Sequence, residues 1–294
     1  MAIAWKHPRK GGLTLEKEYV QKVKEAGFGS VRIPIRWSAH AAKEAPYTID
    51  PAFFDRVDQL LEWTQAQSLP TIINIHHYDE LYRDPAKEEP RFLALWKQIA
   101  ERYKDQTSRV VIELLNEPHD KLTDERWNEL FPKALAVIRE SNPERIVIVG
   151  PGHWNNVDSL AKLVLPKDDR LIVTFHYYSP YEFTHQGAPW DPNAAKWVGK
   201  TWRGTDAELA AMRKDFDKVS VWSKQHKRPI FLGEFGSFNK ADMESRVFWT
   251  KAVMAEAEKR GFSSSYWEFG AGFGAYDPKL RAWREELKKA LVEK

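Results

Sequence analysis

The sequence of 294 residues predicts an α/β protein built as a (β/α)8 TIM barrel. Short β-branched runs alternate with longer amphipathic stretches, which is typical of βα units and a parallel sheet. Eight such units fit within one barrel of ~250 residues. A doubly wound open sheet is the alternative, but many such folds carry a Gly-rich phosphate loop after an early strand, and this sequence has none. We therefore expect one barrel domain over residues 1–294.

Short apolar runs mark the predicted strands, which have the composition of buried parallel strands. The first is expected at the N-terminus, over Ala2–Trp5. The others are predicted over Ser30–Pro34, Thr71–Ile75, Val110–Leu115, Ile146–Val149, Leu171–Phe175, Pro229–Leu232 and Ser265–Phe269.

Helix boundaries are marked by local signals between these strands. Asp50 followed by Pro51 is typical of a helix start, because Pro at the first helical position lacks only an N–H that would have no partner there. Thr205 with Glu208 predicts a capping box. The other signals are Thr123 as an N-cap and Gly27 and Gly261 as C-terminal caps.

Composition excludes several classes of function. The chain has 0 Cys, which rules out disulfides, thiolate metal sites and a Cys nucleophile. Its 45 basic and 42 acidic residues are mixed along the chain, so we expect no nucleic-acid partner. We also expect no membrane partner, since no apolar run is long enough to span a bilayer. The protein is expected to be a monomer without cofactor or metal. No signal peptide is recognised, which leaves a cytoplasmic protein and a mature secreted form open.

Two acidic residues stand where a barrel carries its chemistry, at the carboxyl ends of strands. Glu117 follows the predicted strand Val110–Leu115, and Glu234 follows Pro229–Leu232. Two carboxyls across one cleft suit glycoside hydrolysis, in which one donates a proton and the other attacks the sugar or activates water. The sequence does not set the distance between them, so retaining and inverting mechanisms both stay open at this point.

Other polar and aromatic residues accompany the two carboxylates. Arg32 lies in a buried strand and needs a carboxylate partner. His76 and His77 are expected to form hydrogen bonds in the cleft, because adjacent strand residues point to opposite faces and rarely bind one metal. The remaining candidates are Asn116, His176, Tyr178 and Trp267 at strand ends, and His185 and Trp190 in a loop punctuated by Gly and Pro.

The sequence resembles glycoside hydrolase family 5, particularly its bacterial endoglucanase branch, from about residue 13 to the C-terminus. The resemblance implies a retaining endo-glycosidase that hydrolyses β-1,4-linked glucan, with mannan and mixed-linkage glucan as further candidate polysaccharides. The matching motifs are Val31–Pro34, Ile75–His77, Leu115–Pro118, His176–Tyr178, Glu234–Gly236 and Tyr266–Phe269.

The resemblance also implies a role for each matched residue. Glu117 would be the acid/base, Glu234 the nucleophile, and Asn116 the partner of the sugar 2-hydroxyl. Arg32 and Tyr178 should favour the ionised form of Glu234, whose charge should raise the pKa of Glu117. His176 would belong to the same supporting set, and the implied sugar-binding residues are His76, His77, His185, Trp190 and Trp267.

Residues 1–12 depart from the family pattern, because the segment is short and has no Asn or acidic residue. We interpret this departure as a truncated first strand, a rebuilt segment or the result of an engineered origin. Two other functions stay open. One is an engineered barrel that uses an active-site Glu as general base for a non-native reaction, and the other is a sugar-binding barrel without turnover.

Overall fold

The computed structural model describes residues 1–2 and 13–293. Among these residues, parallel strands form a seven-stranded sheet in which spatial order follows chain order, from β1 to β7. The strands are β1 (Val31–Ile35), β2 (Thr71–Ile75), β3 (Val110–Glu113), β4 (Val147–Val149), β5 (Leu171–Tyr177), β6 (Ile230–Phe235) and β7 (Ser263–Tyr266). An antiparallel pair follows, β8 (Tyr276–Asp277) with β9 (Ala282–Trp283).

Helices lie between successive strands, as expected for repeated βα units. None of those formed by the described residues combines the length and apolarity needed to cross a bilayer. They are α1 (Lys17–Glu25), α2 (Pro51–Ala66), α3 (Asp79–Arg83), α4 (Pro85–Arg102), α5 (Asp124–Ser141), α6 (Gly152–Asn155), α7 (Tyr181–Thr184), α8 (Asp206–His226), α9 (Met243–Lys259) and α10 (Glu285–Val292).

The strands are buried on both faces, which explains their continuous apolar sequences. Every residue of β1, β2 and β6 is buried. Ile33 pairs in register with Ile73, and Ile73 with Ile112, so branched side chains lie beside one another across three strands. Packing of this kind favours β-branched residues.

The predicted helix caps are confirmed. The Asp50 side chain accepts a hydrogen bond from the Ala52 N–H at 2.9 Å, and Pro51 opens α2. Thr205 and Glu208 form both halves of the capping box at the start of α8. The Thr123 cap is also present, and Gly27 and Gly261 follow α1 and α9 with φ of 95° and 71°.

Several strand ends differ from the prediction. β5 continues to Tyr177 and not only to Phe175, so His176 lies on the strand. β6 continues to Phe235, so Glu234 lies on the strand and not after it. β7 ends at Tyr266, so the expected strand Ser265–Phe269 lies too far along the chain. The register between β6 and β7 shifts between Leu232 and Phe235, which is a tertiary irregularity that local sequence does not encode.

β3 is also shorter than expected, because it ends at Glu113 and leaves Leu114 and Leu115 in the loop before Glu117. Of the expected strand Ala2–Trp5, only Ala2 lies within the described residues. Its N–H donates to the Tyr266 carbonyl at 3.0 Å, which is one strand-like contact. The other three positions of that prediction lie outside the described residues.

Contacts divide the chain into two compact units. The contiguous unit is Gly29–Thr174, and its core contains the fully buried side chains of Trp37, Trp96 and Trp127. The discontinuous unit consists of the described parts of 1–28 and 175–294, and its core contains Trp202 and Trp249.

The chain ends are joined within the discontinuous unit. Arg281, in the turn between β8 and β9, forms ion pairs with Glu16, the N-cap of α1, and with Glu18 in its first turn. Aromatic rings connect the same elements: Tyr19 of α1 lies 5.8 Å from Tyr276, measured between ring centroids. Residues far apart in sequence therefore form one packed region.

Candidate active site

Glu117 lies in the loop after β3, in the contiguous unit, and is partly buried. Its φ is 46°, a left-handed conformation that is uncommon for a residue with a side chain. Such conformations cost free energy and persist only where the surroundings enforce them, often at functional sites. The backbone around Glu117 is therefore held in an unfavourable conformation.

Burial raises the pKa of Glu117 to about 7, because the charged form loses its hydration. Arg32 and His119 oppose this effect, and Glu113 adds to it. The expected direction of the pKa is confirmed, but its leading cause is burial and not a neighbouring negative charge. A carboxyl with a pKa near 7 is suited to donate and accept a proton near neutral pH.

A buried network connects Glu117 to β1. Arg32 donates to both carboxylate oxygens of Glu113, at 2.6 and 2.7 Å, and to the Asn116 side-chain oxygen at 2.8 Å. The Asn116 side chain in turn hydrogen-bonds Glu117, which favours the ionised form of that carboxyl. Arg32 thus has the carboxylate partner that its burial required, and these contacts fix the orientation of the Asn116 amide.

Sequence analysis missed Glu113. The sequence predicted that Arg32 favours the ionised form of Glu234, which stays a prediction. The described hydrogen bonds of Arg32 are to Glu113 and Asn116. The available signal was an acid at the end of the apolar run from Val110, since a buried carboxylate requires a cation.

His76 and His77 follow β2, and their ring centroids are 4.4 Å apart. His76 is buried, with Nδ1 3.3 Å from the Asn74 amide nitrogen, whereas His77 is exposed. Tyr82 was also missed: its hydroxyl lies 3.0 Å from the His76 carbonyl and 2.7 Å from that of Asn116. The loops after β2 and β3 are therefore joined by one buried tyrosine.

A stack of rings borders Glu117. The His119 ring lies 4.0 Å from that of Tyr82 and 4.9 Å from that of Trp154, with an angle of 13° between the last two planes. Trp154 is 51% exposed. Its backbone N–H donates to the carbonyl of Pro118, which follows Glu117. An exposed indole face thus lies beside the Glu117 loop, a feature that the sequence did not single out.

Glu234 lies on β6, in the discontinuous unit, and is only 4% exposed. The Tyr178 hydroxyl donates to its Oε2 at 3.0 Å, and His176 Nδ1 lies 3.7 Å from the same oxygen. Hydrogen bonds to a carboxylate favour its charged form. The structure thus brings together Glu234, His176 and Tyr178, as the sequence indicated.

Trp267 follows β7 and approaches β6 closely. Its backbone N–H donates to the Phe235 carbonyl at 2.8 Å. A Cβ on Gly236 would lie 2.0 Å from the Trp267 carbonyl oxygen, so only glycine allows this approach. The partly buried Trp267 side chain packs against a cluster that includes Phe238 and Phe273.

His185 and Trp190 lie in the loop after α7. Trp190 is 56% exposed, and its ring stacks on Phe273 at 6.1 Å. His185 is 7% exposed and stacks on Tyr181 at 4.0 Å. Burial lowers the pKa of His185 to about 4, so the ring is neutral near pH 7. Trp190 therefore has an accessible face, whereas His185 is mostly packed within the cluster.

A parallel βα sheet with one acid after a strand and a second acid on another strand is the arrangement of barrel glycoside hydrolases. The sequence model described as Cellulase (glycosyl hydrolase family 5) matches residues 2–272, and the chain belongs to this family. The resemblance seen in the sequence is thereby confirmed.

Individual relatives agree with this assignment. The chain is 40% identical over 270 residues to Endoglucanase H of Acetivibrio thermocellus, covering 92% of this chain and 29% of that protein. It is 30% identical to Endoglucanase B of Clostridium cellulovorans, covering 90% of this chain and 64% of the relative. The chain thus spans less than two thirds of the length of these two relatives.

Solved structures confirm the TIM-barrel fold class. Endoglucanase Cel5A of Thermotoga maritima superposes with a TM-score of 0.94 at 48% identity, covering 96% of this chain and 91% of that one. The cellulose synthase subunit Z of Clostridioides difficile gives a TM-score of 0.93 at 37% identity, covering 96% and 93% of the two chains.

Proposed function

We propose that this protein is a retaining endo-glycosidase that hydrolyses β-1,4-linked glucan. Membership of glycosyl hydrolase family 5 supports this, as do the names of its relatives. The observation that carries the proposal is the contrast between two carboxyls. The pKa of Glu117 is raised to about 7 by burial, whereas Glu234 accepts a hydrogen bond from Tyr178. Environments that separate two carboxyls in this way define an acid and a nucleophile.

We propose further that Glu117 and Glu234 act on the same glycosidic bond. This is supported by their placement near the carboxyl ends of β3 and β6, two strands of one parallel sheet. Barrel active sites are built at that end of the sheet, from several strands.

In the first step the Glu234 carboxylate attacks the anomeric carbon, and the bond from this carbon to the glycosidic oxygen breaks. Glu117 gives its proton to that oxygen, so the leaving sugar departs as an alcohol. In the second step Glu117 removes a proton from water, whose oxygen attacks the same carbon and releases Glu234. The configuration at the anomeric carbon is retained after two inversions.

The surrounding residues have supporting roles in this proposal. Asn116, oriented by Arg32, would meet the sugar 2-hydroxyl, and Tyr178 with His176 would hold Glu234 in its reactive orientation. Trp267 would lie beneath the ring that becomes positively charged. The residues assigned to sugar binding are His76, His77, His185, Trp190 and Trp267.

The choice of polysaccharide is part of the proposal. The relatives are named endoglucanases. Structures of the Thermotoga maritima enzyme exist with cellobiose and with mannotriose. We place β-1,4-glucan first and β-mannan second, and we propose that the protein acts as a monomer without a nucleic-acid or membrane partner.

The test measures reducing ends and viscosity with soluble carboxymethyl cellulose and, in parallel, with β-mannan. An endo-acting glucanase lowers viscosity well before many reducing ends appear. The fresh product, followed by NMR, should have the β configuration. Glu234→Gln serves as the control with an almost unchanged shape. Absence of cleavage by the wild-type protein on both polymers, or an α product, would overturn the proposal.

A further inference from the structure

Arg91 of α4 is a buried cation, 5% exposed, that is bonded mainly to backbone carbonyls. Its Nε donates to the Ala42 carbonyl at 3.1 Å, and its Nη2 donates to those of Ser38 and Ala41 at 2.8 and 3.0 Å. The nearest carboxylate oxygen described is that of Glu88, at 3.7 Å. One rigid guanidinium thus holds three carbonyls of the segment after β1, which a lysine ammonium cannot match in geometry.

The same guanidinium holds the residue that follows the histidine pair. It lies over the ring of Tyr78, 5.5 Å from the centroid. The Tyr78 hydroxyl donates to Glu88 at 2.7 Å. Burial, together with this hydrogen bond, raises the pKa of Tyr78 above its ordinary value, so the hydroxyl stays a neutral donor. Tyr78 is therefore fixed at its ring and at its hydroxyl.

The contacts of Arg91 with Ser38 and with Tyr78 both lead to the His77 backbone. The Ser38 hydroxyl donates to the His77 carbonyl at 3.2 Å, while the Ser38 carbonyl accepts from Arg91. Tyr78 is joined to His77 by the peptide bond. The His77 side chain itself is exposed. Its backbone is thus held on two sides while its ring remains accessible.

We propose that Arg91 is a positioning residue that sets the orientation of His77 for substrate binding. This inference rests on the proposed function, since it takes His77 to contact the sugar. Arg91 itself contacts backbone carbonyls, Glu88 and Tyr78, whose hydroxyl accepts from Nη1 at 3.4 Å. It acts on His77 through Ser38 and Tyr78. Interactions that bind ground state and transition state equally affect KM and not kcat.

The chain offers a matched control in Arg145. This arginine is also buried, at 9% exposed, and it also donates to backbone carbonyls, among them those of Tyr103 and Val110. Val110 is the first residue of β3, so Arg145 lies at the amino end of that strand, away from the end that carries His77. Arg91→Lys and Arg145→Lys thus make the same chemical change near opposite ends of the parallel strands.

We expect both variants to lower the melting temperature by similar amounts. Only Arg91→Lys should raise KM for soluble glucan, by about tenfold, with kcat within about twofold of wild type. The pH profile should stay unchanged, because the substitution retains the charge. An unchanged KM in Arg91→Lys, or an equal rise in Arg145→Lys, would show that Arg91 is only structural.

A second readout does not depend on turnover. The imidazole NMR signals of His77 should shift in Arg91→Lys and in Ser38→Ala, but not in Arg145→Lys. If the wild-type protein cleaves no polysaccharide, the proposed function fails while these signals still decide the positioning role. If Arg91→Lys does not fold, Ser38→Ala decides it, with KM expected to rise by a smaller factor. Unshifted His77 signals in Ser38→Ala would then overturn the inference.

Discussion

Glu117 and Glu234 both lie near the ends of their strands, but their backbone positions, burial and hydrogen-bond donors differ. Glu117 is in a loop with a positive φ, partly buried, and its pKa is raised by loss of hydration. Glu234 is on the strand itself, almost fully buried, with a hydroxyl donor at 3.0 Å. The carboxyl with the smaller exposed fraction thus has a described hydroxyl donor. Burial alone therefore does not decide which carboxyl is the acid. Hydrogen-bond donors to a carboxylate oxygen also matter, because they favour the charged form.

The largest expected effect is on kcat, and it distinguishes the chemical roles of the two carboxyls. Glu234→Ala and Glu117→Ala should each lower kcat on a natural glucan by about 10³-fold or more, since a nucleophile or a general acid is lost. With an aryl glycoside whose leaving group needs little protonation, Glu117→Ala should spare the first step and Glu234→Ala should not. Burst kinetics measure that step. Equal loss in both variants would remove the distinction between them.

The second prediction concerns pH. Glu117 must be protonated to act as the acid, and its pKa is about 7, so kcat/KM should fall as pH rises through about 7. Because the two carboxyls are proposed to interact, the measured limb would belong to the pair. A basic limb near pH 5 would contradict the described environment of Glu117.

The same pKa has a consequence for stability. Between pH 4.5 and about 7 the folded protein holds a proton on Glu117 that the unfolded chain has lost, so this group lowers stability as pH rises. Glu117→Gln should therefore stabilise the protein above pH 7, by about 1–3 kcal/mol, and have little effect at pH 4. Thermal melts of both proteins at the two pH values measure this. A stabilisation that is largest at pH 4 would contradict the raised pKa.

Tyr178→Phe removes the hydroxyl that donates to Glu234 and keeps the ring. A hydrogen bond to a charged group contributes about 1.5–3 kcal/mol, so kcat should fall about 10- to 100-fold. Tyr82→Phe is the matched control, because its hydroxyl contacts carbonyls and not a carboxylate. Steady-state kinetics on glucan compare the two. A larger loss in Tyr82→Phe would mean that the loops around Glu117 matter more than the charge on Glu234.

The smallest effect is expected from His119→Phe, which keeps a ring beside Trp154 but removes a group that lowers the pKa of Glu117. The basic limb of the pH profile should move upward by roughly half a unit or less, within the range of a single exposed charge interaction. A downward shift would show that His119 does not lower the pKa of Glu117.

Local sequence signals predicted what depends on local chemistry. Asp50 with Pro51, and Thr205 with Glu208, start helices where expected because a cap involves only neighbouring residues. Glu117 and Glu234 could be singled out because barrel chemistry collects at strand ends.

The remaining features depend on tertiary contacts. The ends of β6 and β7 differ from the prediction, and the register shift between these two strands is not encoded by a local pattern. Glu113 and Tyr82 were missed because their role depends on which loops meet, and a sequence does not show that directly. His185 was predicted to contact ligand from its loop position, but its 7% exposure depends on neighbours that only the fold brings together.

The division into a contiguous and a discontinuous unit has a consequence for biosynthesis. Residues 29–174 form one continuous stretch, so all the residues of that unit leave the ribosome before residue 175 does. The other unit pairs Glu18 with Arg281 across 263 residues. The contacts between α1 and the hairpin of β8 and β9 can therefore form only after that hairpin has been synthesised. Closing a loop of that length is entropically costly and slow. The carboxyl that is proposed to donate the proton thus lies in the unit whose residues are synthesised first to completion, and the proposed nucleophile in the unit that is completed later.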